Sequence, residues 1–131
     1  MAQDLIELAQ AVLHKAYAPY SGFHVGAAIR SASGQTYAGC NVENASYGLA
    51  ICAERSALAA AVSAEGATLR ILEVAVRAER PGLGAHGASP CGACRQALIE
   101  LGPEALVHYL DLQLRPVSRP ITELLVDSFR L

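Results

Sequence analysis

The run Leu69-Arg70-Ile71-Leu72-Glu73-Val74-Ala75-Val76-Arg77-Ala78, followed by Pro90-Cys91-Gly92-Ala93-Cys94-Arg95-Gln96 on to Leu101, decides how this chain folds. Leu72, Val74 and Val76 alternate with their neighbours, which is the period of a strand. The loop from 79 to 89 holds three glycines and Pro81. A helix is predicted from Pro90-Cys91, with the proline close to where a first turn tolerates it, and Gly102-Pro103 stops it after Leu101. Leu106-Val107-His108-Tyr109-Leu110 then reads as a further strand. Strand, helix and strand in succession predict a parallel pair with a helical crossover, in a sheet covered by helices on both faces.

Working outward, Asp4 to about Ala16 carries Leu5, Leu8, Ala9, Val12 and Ala16 at helical steps. Pro19-Tyr20-Ser21-Gly22 ends that helix as a turn. Phe23 to Arg30 and Gln35 to Cys40, joined by Ser31-Ala32-Ser33-Gly34, read as a β-hairpin. Leu49 to about Ala64 reads as a second helix, closed by Gly66 and uncharged between Arg55 and Glu65. A helix so apolar is expected to be buried on all sides, which in a small chain points to a subunit interface. Leu112 to Val117 reads as a last strand weakened by Pro116, and Pro120 to about Asp127 as a short terminal helix.

At 131 residues the chain makes one domain, 1–131. Hydrophobic residues at 53% against charged residues at 17% exclude a disordered tail or charged linker. No apolar run approaches the ~18 residues of a membrane helix. Asp4 and Glu7 stand where a signal peptide would be basic, so a cytoplasmic protein is expected, without a membrane partner. Ten Lys and Arg against twelve acids, for a net charge of −2, lack the basic face that phosphate contacts need, so no nucleic-acid partner is expected.

Four cysteines, Cys40, Cys52, Cys91 and Cys94, then point to metal or catalysis rather than disulfides. Cys91 and Cys94, three apart at a helix start, share a face. Cys52 meets them if the two helix N-termini converge. Three thiolates bind one zinc and leave a fourth position for water, which is the catalytic pattern, whereas structural zinc sites are closed by four ligands. Three thiolates and Zn²⁺ sum to −1, and positive helix ends together with Arg55 and Arg95, placed to hydrogen-bond ligand sulfurs, offset that charge. Glu54 lies two residues past a ligand, beside the ion without binding it. There a carboxylate can take a proton from water and return it to substrate. Cys₃ ligation with a non-ligating Glu is the arrangement of zinc deaminases, and these residues resemble it.

The chain resembles the small cytidine deaminases that act on free nucleosides. The resemblance rests on Pro19-Tyr20-Ser21-Gly22-Phe23-His24-Val25-Gly26-Ala27-Ala28, Gly39-Cys40-Asn41-Val42-Glu43-Asn44-Ala45-Ser46-Tyr47, Cys52-Ala53-Glu54-Arg55, Pro90 to Gln96, and Glu123-Leu124-Leu125, in family order and spacing. It implies a three-layer α/β/α sandwich with a mixed sheet. It implies one zinc per chain on Cys52, Cys91 and Cys94, Glu54 as proton shuttle, and Asn41 and Glu43 on the ribose hydroxyls. Phe23 packs on the pyrimidine or sugar, the Ala53 backbone holds the base edge, and Tyr47 lies near a subunit boundary. The family's small form is a homotetramer with shared sites, in which Phe129 closes a neighbour's site. The implied reaction is hydrolysis of cytidine and deoxycytidine to uridine products and ammonia, in pyrimidine salvage. Val126 departs from the pattern, standing where the family commonly has Pro.

Other readings are weighed against this one. Cys91 and Cys94 alone would fit a redox dithiol, but Cys52-Ala53-Glu54 argues against it. Cys40 is expected as a buried core thiol. The four histidines are read as satisfied core or surface groups, with His86 in the glycine-rich loop the one to watch. A deaminase of a cytosine-containing nucleoside antibiotic shares both zinc motifs, but the Asn41-Val42-Glu43 segment and Arg55 favour the nucleoside enzyme. A non-enzymatic zinc module needs no Glu54.

Overall fold

A computed structural model describes residues 2–131. Strands β1 (His24–Ser31) and β2 (Thr36–Cys40) form the expected hairpin, in register from Gly26 opposite Cys40 to Arg30 opposite Thr36. Strand β1 also pairs antiparallel with β3 (Ile71–Arg80). Beyond β3, β5 (Leu106–Leu110) runs parallel and β6 (Pro116–Pro120) closes the edge antiparallel, giving the order β2-β1-β3-β5-β6. The sheet is therefore mixed, and α3 (Gly92–Leu101) makes the parallel crossover between β3 and β5.

The strand period divides the sheet into two faces. Ala27 and Ile29 of β1, Val74 and Val76 of β3 and Val107 of β5 share a core with Ala53, Ala57 and Ala61 of α2 (Ala53–Glu65) and with Leu98 and Ile99 of α3. The intervening Ala28 and Ala75 face the opposite way, against Leu5 and Ala9 of α1 (Ala2–Val12). Helices on both faces make the three layers. Fully burying a Leu, Ile or Val side chain contributes about 1.5–3 kcal/mol, so the larger cluster, on the α2 and α3 side, dominates. Gly39 fixes how closely α2 approaches β2: a β-carbon there would collide with the backbone of Ser56 and Ala57. That close seam sets the α2 N-terminus over the sheet.

Several boundaries differ from expectation. Helix α2 begins at Ala53, not Leu49, because Tyr47–Leu49 forms a 3₁₀ turn and Ile51 bridges Val42 in extended backbone. Its burial is one-sided within the chain: Ala53, Ala57 and Ala61 are covered, while Ala59, Ala60, Val62 and Ala64 are exposed. The 79–89 loop contains a short strand, β4 (Gly84–His86), paired with the end of β3. The last strand lies at Pro116–Pro120 rather than 112–117, and the helix after it, α4, is only Ile121–Leu124. An edge strand accepts prolines whose missing N–H would have faced solvent. Cys40 is half-buried, not a core thiol. Among the described residues no helix is long and apolar enough to cross a membrane.

Candidate active site

Two helix N-termini meet. Cys52 is the N-cap of α2 and Cys91 that of α3, both in extended backbone, and neither makes a side-chain cap hydrogen bond. Their thiols turn toward each other, with the sulfurs 3.9 Å apart. Cys94, in the first turn of α3, completes a group in which all three Sγ atoms lie within 4.8 Å of one another. Cys40 stands outside it.

Such crowding cannot hold three negative charges unaided. The Cys52 thiol is held down to about 5, first because Cys94 donates its S–H to it, then by donors on Arg55 and Cys91. Donating to Cys52 pushes the Cys94 thiol far up in turn. One thiolate therefore forms readily at Cys52, and taking the proton from Cys94 calls for a cation among the sulfurs. Three soft donors at this spacing fit zinc. Positive charge is nearby: Arg55 Nη2 lies 3.6 Å from Cys52 Sγ, beside the helix ends. Arg95 does not do as expected. Its guanidinium donates to the carbonyls of Pro90 and Leu124 and to Ser89 Oγ, tying the α3 start to the C-terminal segment.

Glu54 follows in the first turn of α2 and is only 5% exposed. Burial pushes its carboxyl up to about 7, and the negative Cys52 adds to the rise. A carboxyl near neutrality both accepts and donates protons. It faces a cavity of about 270 Å³ that Cys52, Cys91, Ala53, Phe23, Asn41 and Glu43 also line. That volume lies just under the usual range for ligand pockets.

Asn41 and Glu43 are held by hydrogen bonds of their own. Asn41 Oδ1 accepts from Val25 N and its Nδ2 donates to Phe23 O, both at 2.8 Å, pinning the entry to β1. Glu43 accepts from the Tyr20 and Ser21 amides and from Ser21 Oγ, and the Ser21 hydroxyl above all holds its carboxyl below the usual range. Each side chain keeps capacity for a ligand: one N–H on Asn41 and unused lone pairs on Glu43. Tyr47, 83% exposed, lines a neighbouring hollow with Tyr20, Ser21 and Glu43 rather than this cavity. Phe129 is 71% exposed, does not line the cavity, and accepts at its carbonyl from Gln96 Nε2.

Sequence reasoning gave no role to Ser21, which holds Glu43, or to Ser89 and Val25, which line the cavity. Val25 was legible: strand parity puts it on the face of Phe23. Ser89 had no local signal.

A sheet whose crossover helix brings sulfurs beside a buried carboxylate fits the class of metal-dependent hydrolases. The comparisons narrow this. Residues 1–110 match the family model of the cytidine and deoxycytidylate deaminase zinc-binding region. A cytidine deaminase of Halalkalibacterium halodurans is 41% identical over 128 residues, 97% of this chain and 92% of that protein. The crystal structure of a cytidine deaminase from Burkholderia pseudomallei superposes with a TM-score of 0.85 at 44% identity, over 98% of this chain and 99% of the other. That of a cytidine deaminase from Mycobacterium tuberculosis gives 0.82 at 40% identity, over 99% and 98%. The chain belongs to the cytidine and deoxycytidylate deaminase family and is a hydrolase of that class.

Proposed function

We propose that residues 1–131 act as one catalytic domain that hydrolyses free cytidine and deoxycytidine to uridine and deoxyuridine with release of ammonia, in pyrimidine salvage in the cytoplasm. The observation that carries this reading is the buried Glu54 beside the three sulfurs, in a cavity that Asn41 and Glu43 also line. In this reading Cys52, Cys91 and Cys94 hold one zinc ion per chain. When bound, that ion supplies the Lewis-acid activation that makes a water nucleophilic near neutral pH.

The chain's own groups do the rest. Asn41 and Glu43 take the ribose hydroxyls, and the ionised Glu43 repels a phosphate, so a nucleoside is preferred to a nucleotide. Phe23 packs on the sugar or ring, and the Ala53 backbone meets the base edge. Glu54 takes a proton from the attacking water and delivers it to ring N3. Oxygen bonds to C4, giving a tetrahedral carbon. Glu54 then carries the hydroxyl proton to the amino group, the C4–N4 bond breaks, and ammonia leaves. Arg55 steadies the Cys52 sulfur, and Arg95 holds the α3 start from behind.

The same reading makes the working form a homotetramer with sites shared between subunits. Tyr17, Val42 and Ile51 are bridged through their backbones and exposed, with Tyr47 and Leu49 close along the chain. A neighbouring copy would cover this apolar rim and bring Phe129 to it. Light scattering then gives four times the chain mass of 13.7 kDa. An active species of one chain's mass would remove the shared site.

The deciding experiment incubates pure protein with cytidine and follows ultraviolet absorbance and ammonia together. Stoichiometric uridine and ammonia are expected. Turnover of a cytosine-containing nucleoside antibiotic but not of cytidine would replace this reading.

A further inference from the structure

Phe23 is flanked by two side chains that no step above uses. The His86 ring meets it edge to face, with centroids 5.1 Å apart and planes at 78°. The guanidinium carbon of Arg80 lies over the Phe23 ring, 5.7 Å from its centroid. The strands put them there. Val25 of β1, Ala78 of β3 and His86 of β4 are partners across adjacent strands, so their side chains share a face. Val25 lines the cavity, which places the row at the cavity end of the sheet. Phe23 lies two residues before Val25 and Arg80 two after Ala78, both on that face by parity. His86 Nδ1 lies 2.7 Å from the Gly87 carbonyl oxygen. A carbonyl only accepts, so Nδ1 carries the proton, and this bond fixes the ring's orientation.

We propose that His86 is a positioning residue: its ring edge, backed by Arg80, holds Phe23 as the wall of the nucleoside cavity and so sets how tightly the nucleoside binds. This rests on the nucleoside reading of the cavity given above. Two variants separate the ring contact from the bond to Gly87. His86→Asn keeps a donor for the Gly87 carbonyl but loses the ring edge. His86→Phe keeps the edge but loses the donor.

The experiment measures cytidine KM and kcat for both, alone and combined with Phe23→Leu. His86→Asn is expected to raise KM about two- to tenfold, the worth of one aromatic pair, with a smaller change in kcat. His86→Phe stays within about twofold of the parent KM if the edge contact is what matters. Adding His86→Asn to Phe23→Leu changes KM no further, because both act through one ring. A parent-like KM for His86→Asn, a raised KM for His86→Phe, or additive effects would each overturn the proposal. If the parent does not turn over cytidine, the nucleoside reading has failed, and the contact is judged by NMR. Phe23 is one of two phenylalanines, and its ring signals shift in His86→Asn if the contact holds. Unshifted signals would sink the contact as well.

Discussion

Cys52 and Cys91 are 39 residues apart in the chain, and their sulfurs are 3.9 Å apart in the fold. Both thiols leave their helix ends uncapped, so their positions serve the cluster and not the helices. Cys91→Ala is therefore expected to lose bound zinc and stability together. At a free ion concentration about a thousandfold above its Kd, a native-state ligand adds about 4 kcal/mol. Elemental analysis and thermal melts check both, with Cys40→Ser as the control that retains its metal.

Glu54→Gln preserves shape in a buried position while removing the proposed proton carrier. Its kcat is expected to fall about 10²–10⁴-fold with zinc retained. Burial disfavours the charged carboxylate, so the neutral amide leaves the melting temperature unchanged or higher. Steady-state kinetics beside metal content decide it; parent-like turnover would exclude Glu54 from the chemistry.

Gly39→Ala tests the seam between β2 and α2. The added methyl meets the backbone of Ser56 and Ala57, which cannot rotate away. A loss of about 1–3 kcal/mol in denaturant melts is expected, the range for overpacking. Because α2 carries Cys52 and Glu54, zinc affinity falls with it. A stable variant with parent affinity would show that the helix approach is not fixed there.

Glu65 joins the end of α2 to the hairpin through the hydroxyls of Ser33, Tyr37 and Ser31, at 2.6 to 2.7 Å. These bonds, Ser33 first, hold its carboxyl below the ordinary 4.5. A lowered folded value means the stabilisation is present above 4.5 and is lost as pH falls through the lower folded value. The melting temperature of the parent is expected to drop more steeply below pH 4.5 than that of Glu65→Gln. Parallel curves would assign the acid loss to other carboxylates.

Much of the fold was legible because it follows from local period. Leu106–Leu110 is the strand expected, and α3 starts one residue after Cys91. The misses have tertiary causes. Helix α2 starts late because Ile51 is drawn into a bridge with Val42, a contact from another part of the chain. Strand β6 holds prolines at both ends, which read as strand breakers until the strand is seen on the sheet edge. Strand β4 is three residues long, too short for any period to show. At the site, the candidate ligands and Glu54 could be named from spacing. The partners of Arg95 could not, since Leu124 is 29 residues away.

The amino-acid order alone indicated the main helices and strands, a parallel pair joined by a helical crossover, and which residue types could grip an ion or carry a proton. Spacing along a chain encodes such things because helix and strand repeat every few residues. Only the tertiary structure decided that two helix ends converge, that Glu54 is desolvated enough to hold its proton near neutrality, and that Phe23 meets His86. Desolvation and Coulomb forces depend on distance through space, and the fold sets that distance by closing loops over tens of residues.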